Sequence, residues 1–222
     1  MSLHVLYNKN GLLIANKGVG VCSDFHADER ISSMEVRVRD LFPGYIPTHR
    51  IDKWTSGILG FASTDVKLGK ISVYKWVRAN WKDRVTKEYL AIMPYPNWTS
   101  IEVDMPLSDG DGTVGPAKTR FEVIQDSGRG FVLVKCTLIK GGKKHQIRLH
   151  ARESGVPLVG DFLYGGERSR FRNGQLLHAW KLSVNFPYEK MLFQAPIPDD
   201  FKGFGFILDE LDHGANKVTI FG

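Results

Sequence analysis

Cysteine is scarce: the chain has 2, Cys22 and Cys136, far apart and in no metal-ligand spacing. That excludes a disulfide framework and a zinc ribbon, and it fits free thiols in a reducing cytoplasm, where the protein is expected to act. Long apolar runs are missing as well. No stretch approaches the ~20 residues that span a bilayer, so no membrane partner is expected. The opening segment MSLHVLYNKNGLLIANKG alternates short apolar runs with lysines and shows no cleavage site, so no signal peptide is read there. The glycine-rich stretches NKGVGV and GDGTVG have neither the Walker lysine-Ser/Thr ending nor the strand-to-helix setting of a dinucleotide loop. They read as turns, and no cofactor is expected. No serine nucleophile elbow is present. On a helix His145 and His150 would point about 140° apart, with no carboxylate or thiol at ligand spacing, so no metal is expected either.

What is there is an ordinary globular composition, 42% hydrophobic and 24% charged over 222 residues. Lys and Arg number 30 against 24 acids, a net charge of +6. The placement says more than the total. From Ser127 to Arg152 there are 7 basic residues and no acid. Charge gathered in this way fits a polyanion such as RNA or DNA, and it equally fits a solvated face.

Along the chain, Asn10-Gly11 joins two short strands into a hairpin. SGILGFAS reads as a short buried strand. STDVKLGKISVYKWVRANW reads as a helix capped at Ser63 or Thr64, with Val66, Ile71, Tyr74 and Val77 on one face. TKEYLAIMPYP returns to strand. TRFEVIQDSGRGFVLVKCTLIK is a hairpin turning at Asp126-Ser127-Gly128 and Gly130. KKHQIRLHARESGVP is a short helix with Gly155 as its C-terminal cap and Pro157 as a stop. Many strands and few helices without βαβ alternation predict an α+β fold on mostly antiparallel sheet, and residues 1–222 read as one domain.

One stretch resists a bland reading. HRIDKWTSG, residues 49–57, sets Asp52 between basic residues ahead of turn formers. HRIDKWTSGILGFA resembles the HRLDxxTSGLLLxA motif of the RluA family of RNA pseudouridine synthases. The resemblance continues in family order. LLIANKGVGV is similar to LxVxNKPxGL, KEYLAI to KxYLA, and GPAKTRFEVI to GKxAxTxFxVL. LVKCTLIKGGKKHQIRLHARESGVPLVGDFLYG resembles LxLxTGRxHQIRxHxxxxGxPxxGDxxYG, and LLHAWKLSVNFP resembles LHAxxLxFxHP. Together these blocks span about residue 10 to residue 188. The chain departs from the pattern at Gly18, where the family has proline, and at Trp54, where an acid often stands. It also has Gly141-Gly142-Lys143 in place of Thr-Gly-Arg, which keeps the charge and loses the planar guanidinium fork.

The resemblance implies a pseudouridine synthase catalytic fold: a mixed, mostly antiparallel central sheet with flanking helices and an active-site cleft. The accessory N-terminal RNA-binding domain of many members is not expected, for the stretch between the first hairpin and His49 leaves no room for it. It implies an isomerase acting on a flipped-out uridine of ribosomal or transfer RNA. Asp52 becomes the essential carboxylate, as nucleophile or in proton transfer. Tyr89 stacks on the flipped base and its hydroxyl can move a proton. Arg148 is the cation that keeps the carboxylate ionised in a partly dry site. Arg50 projects toward the RNA, and Thr55, Ser56 and Gly57 let the chain turn to present Asp52. The RNA-facing set is Arg50, Lys53, Thr55, Lys143, Lys144, His145, Gln146 and Arg152. Arg129 and Lys140 are further phosphate contacts, with Arg168, Arg170 and Arg172 of GERSRFRNG as a second basic loop. RNA is the partner and a monomer is expected. Two rivals are a catalytically inactive RNA-binding protein of the same fold and a carboxylate-dependent hydrolase. The second needs paired carboxylates, and no second acid stands in a comparable motif.

Overall fold

The computed structural model describes residues 3–25, 33–109, 112–213 and 218–221. It divides into two compact units, each built from separate chain segments. The first unit holds Met1–Val85, Ala179–Pro196 and Gly214–Gly222, the second Thr86–His178 and Ile197–His213. The α+β expectation holds: strands dominate, the helices are short, and the strand pairings named below are antiparallel. Among the described residues no helix is long and apolar enough to cross a membrane.

In the first unit Asn10 and Gly11 both have positive φ, 55° and 77°, the two-residue turn that Asn-Gly favours. It pairs His4–Lys9 with Leu12–Lys17. Leu12–Lys17 then pairs with Ser56–Ser63, every residue of which is buried. The period of two explains why the middle of this strand is apolar at successive positions. Leu12, Ile14 and Ile58 face a core with Leu182, Met191 and Phe193. Leu13, Ala15, Leu59 and Phe61 face another, covered by Met34 and Val38 of the helix Met34–Leu41.

The second helix begins later than its apolar spacing suggests. Ser63 caps only a turn, its Oγ accepting from the amides of Asp65 and Val66 at 3.1 Å. A small hairpin, Lys67–Leu68 with Ile71–Ser72, follows, and Gly69 turns it at φ 65°. Ser72 is the true cap, its Oγ accepting from Lys75, and the helix runs Val73–Arg84. Val73 and Val77 are its buried face, whereas Val66 and Ile71 are exposed.

Gly57 has φ 105° inside the buried strand, and a Cβ there would stand 2.2 Å from the carbonyl oxygen of Ala179. Gly57→Ala should therefore lose markedly more stability than Gly69→Ala, which meets nothing within 4 Å and bears only the left-handed strain of ~1–2 kcal/mol. Urea melts of the two variants check this; equal midpoints would show that the close approach relaxes freely.

In the second unit the strands Val85–Pro94, Phe131–Lys140, Lys118–Asp126 and Ser100–Asp104 lie side by side in that order. The turn between Lys118–Asp126 and Phe131–Lys140 closes as expected. Ser127 donates to the Phe131 carbonyl at 3.0 Å, the Asp126 side chain accepts from the Gly128 amide at 2.8 Å, and Gly128 and Gly130 take positive φ. The helix Gln146–Glu153 ends with Gly155 at φ 81°. The turn expected at GDGTVG is a loop in which Asp109 donates to the Thr113 carbonyl; Gly110 and Asp111 lie outside the described residues.

Candidate active site

In the first unit the Asp52 stretch is anchored through its backbone. Asp52 opens a tight turn that closes when the Thr55 amide donates to the Asp52 carbonyl at 3.0 Å. One residue before it, Ile51 is bracketed by Ser23. The Ser23 hydroxyl donates to the Ile51 carbonyl at 2.7 Å and accepts from the Ile51 amide at 3.0 Å. One residue after it, the Lys53 carbonyl accepts from the Gly20 amide at 2.9 Å and from Lys17 Nζ at 3.1 Å. Lys17 is 0% exposed and also donates to the carbonyls of Gly18 and Val21. A wholly buried lysine is rare because its charge must be compensated, and three backbone oxygens take part in that here. Upstream, Thr48 bonds the Gly60 carbonyl, and His49 accepts from the Gly60 amide while packing on Trp81. These contacts use the backbone on either side of Asp52.

Arg50 is exposed and pairs with Asp24 at 2.8 Å. Such a pair is worth ~0–1 kcal/mol, so the guanidinium is held loosely. Lys53 lies 5.9 Å from the Trp54 ring. Thr55 does not fit the RNA-facing set: it is 1% exposed, because the turn carries it into the start of the buried strand.

In the second unit Tyr89 is buried and stands opposite Cys136 on the neighbouring strand. Burial pushes the Cys136 thiol far above its ordinary value, leaving it an inert space-filler. Lys87 lies two positions before Tyr89, on the same face of the strand. Burial lowers its ammonium from 10.5 to about 8, and a Cβ on Gly142 would come within 3.1 Å of its Nζ.

The helix carrying Arg148 is fastened by its first residue. Gln146 Oε1 accepts from the Gly142 and Lys143 amides at 2.7 and 3.1 Å, and Nε2 donates to the carbonyls of Lys118 and Lys140 and to Thr119 Oγ1. At 3% exposure its amide is committed inside the protein, so Gln146 is corrected from RNA contact to loop clasp. His150 is buried. Its Nε2 lies 3.0 Å from the Met105 carbonyl, which can only accept, so Nε2 carries a proton, and its Nδ1 lies 2.8 Å from Thr119 Oγ1. Burial lowers its proton affinity. His145 is not in the helix at all. It precedes it at φ 56°, its Nδ1 2.8 Å from the Tyr164 hydroxyl.

Arg148 makes a bidentate pair with Asp161. Nε and Nη2 donate at 2.7 Å to the two carboxylate oxygens, with the side chains 8% and 0% exposed. The Tyr164 ring lies 4.9 Å from the Arg148 guanidinium and 5.8 Å from that of Arg152. Asp161 is thus a second acid, but both of its oxygens are engaged by Arg148, which unsuits it to be the free partner a hydrolase requires. Lys143 pairs with Asp109 at 2.5 Å, while Lys144 and Arg152 are exposed. Arg172 leaves the phosphate set. It is buried, bonded to both Asp200 oxygens at 2.6 and 2.8 Å and to the carbonyls of Gln175 and Leu177.

Asp161 and Tyr164 were not singled out from the sequence, although both stand in the quoted VGDFLYG block, as Lys17 stands in NKGVGV. Ser23 carried no signal. Among the described residues no group of His, Cys, Asp and Glu could hold a metal ion.

A sequence model of RNA pseudouridylate synthase matches residues 5–153. The chain is 30% identical over 212 residues to the dual-specificity RNA pseudouridine synthase RluA of Haemophilus influenzae, covering 87% of this chain and 92% of that protein. It is 30% identical over 230 residues to the uncharacterized RNA pseudouridine synthase YlyB of Bacillus subtilis, covering 90% of this chain and 71% of that one. Of solved structures, human RNA pseudouridylate synthase domain containing 1 superposes with a TM-score of 0.68 at 25% identity, covering 88% and 83% of the two chains. Human RNA pseudouridylate synthase domain containing 4 gives 0.72 at 20%, covering 90% and 91%, and speaks for the fold alone. The chain belongs to the RNA pseudouridylate synthase family, with RluA proteins among its relatives, and is an isomerase that converts uridine in RNA to pseudouridine.

Proposed function

We propose that the enzyme modifies uridines of ribosomal or transfer RNA with Asp52 as its essential carboxylate, Tyr89 against the flipped base, and Arg148 as the cation serving that carboxylate. The bond from ribose C1′ to uracil N1 breaks, the base turns, and a C1′–C5 bond forms. The C5 hydrogen leaves to solvent while N1 gains a proton, so mass is unchanged. The observation that carries the reading is the double anchoring of the Asp52 turn, by Ser23 before it and by Lys17 and Gly20 after it. A surface ion pair needs no such fixing, whereas a reacting group held to a fraction of an ångström does. The name dual-specificity carried by the RluA relatives supports looking for more than one RNA target.

The test uses ribosomal and transfer RNA labelled with tritium at uracil C5. The protein should release tritium to water from at least one of them, and silence on both would sink the reading. Tyr89→Phe should fold and bind RNA normally, because the ring that packs in the strand is kept. Its single-turnover rate should fall ~10²–10⁴-fold if the hydroxyl moves a proton. A near-normal rate would leave Tyr89 a stacking residue only.

A further inference from the structure

The second unit holds a cavity of about 270 Å³ whose lining includes Arg129, Arg168, Arg170 and Phe171 and, among the described residues, no carboxylate. We propose that it is a nucleotide subsite, taking one unstacked nucleotide of single-stranded RNA, its base against Phe171 and Arg170 and its phosphate against the arginines. The proposal rests on RNA being the substrate and extends it to a place outside the reacting residues.

The site is built rather than incidental. Arg172 pins the loop from beneath through Asp200 and the Gln175 and Leu177 carbonyls, which fixes where its neighbours Arg170 and Phe171 stand. The Phe171 ring edge lies on bare backbone, for a Cβ on Gly203 would fall 2.5 Å from Phe171 Cε1. A Cβ on Gly205, at φ 91°, would stand 3.2 Å from the Arg129 guanidinium carbon. The sequence KGFGF, residues 202–206, thus alternates glycines that seat the ring and the guanidinium with Phe204, which packs 5.0 Å from Phe171.

The chemistry selects the occupant. Phe171 is exposed and the Arg170 guanidinium lies 4.8 Å from its ring centre. Arg168 makes a like pair with exposed Phe162 at 5.6 Å. Bases stack on aromatic rings and on guanidinium planes, and guanidinium edges bind phosphate, so one such patch recognises both halves of a nucleotide without reading its sequence. Glu167, exposed in the same loop, is the nearest acid in sequence and is not part of the lining.

Phe171→Trp supplies the probe. Its fluorescence should be quenched by oligouridylate, and Arg168→Gln/Arg170→Gln in that background should remove the quenching and reduce the salt slope of binding by ~1.4. Phe171→Leu should weaken oligouridylate binding roughly 5- to 150-fold, with an unchanged thermal melt. It should raise the KM for substrate RNA while leaving the single-turnover rate at saturation unchanged. Wild-type binding by the variants, or quenching by an acidic protein and not by RNA, overturns the subsite. Quenching by oligouridylate in a protein that never isomerises uridine would instead overturn the catalytic reading and leave the subsite standing.

Discussion

Asp52→Asn abolishes tritium release from RNA labelled at uracil C5, by at least ~10³-fold, while RNA binding stays within a few-fold. Backbone contacts on both sides of Asp52 hold the turn. Ser23 holds Ile51, Lys17 and Gly20 hold the Lys53 carbonyl, and Thr55 closes on the Asp52 carbonyl. Asparagine is nearly isosteric and leaves all of these in place. What goes is the charge, and with it both nucleophilicity and the capacity to take a proton, whichever of the two the reaction uses. Binding survives because the exposed cations Arg50, Lys144 and Arg152 are untouched, and removing an acid from a surface that meets a polyanion can even tighten it. A folded Asp52→Asn variant that isomerises uridine within tenfold of the wild-type rate would return this aspartate to the role of a surface charge.

How far the sequence reaches can be judged residue by residue. The first hairpin was legible because Asn-Gly dictates its own turn, and Ser56–Ser63 because the run Gly57–Ala62 carries no polar side chain and is buried on both faces. The helix start was misplaced by nine residues because Ser63 and Ser72 are equally good caps on paper, and only the hairpin turned by Gly69 separates them. Site residues fail in a more instructive way. Arg168, Arg170 and Arg172 look alike in GERSRFRNG, yet Arg172 is buried on Asp200, 28 residues away. Gln146 and Thr55 sit inside motifs that carry the chemistry, but both are buried, and the Gln146 amide is spent on holding backbone. Short-range chemistry can be read from spacing; a buried partner is settled only when the chain closes on itself.

Asp161→Asn should destabilise the fold by ~3–5 kcal/mol and depress turnover with it. Asp161 is fully buried, and both of its oxygens accept from Arg148 at 2.7 Å. Asparagine has one acceptor oxygen and brings an NH2 group against a guanidinium that can only donate, so a buried cation loses its counter-charge and half its geometry. Loss of stability alone cannot separate a structural role for Arg148 from one in the reaction, and the double variant Arg148→Met/Asp161→Leu does. Replacing both members of a buried pair by apolar residues of similar size removes the desolvation penalty along with the attraction, and is often neutral or stabilising. Urea melts should therefore place the double variant well above Asp161→Asn, and near the wild type. Tritium release should nevertheless stay lost, because a methionine cannot serve an ionised carboxylate as a guanidinium does. Recovery of stability together with turnover would make the Arg148–Asp161 pair scaffolding.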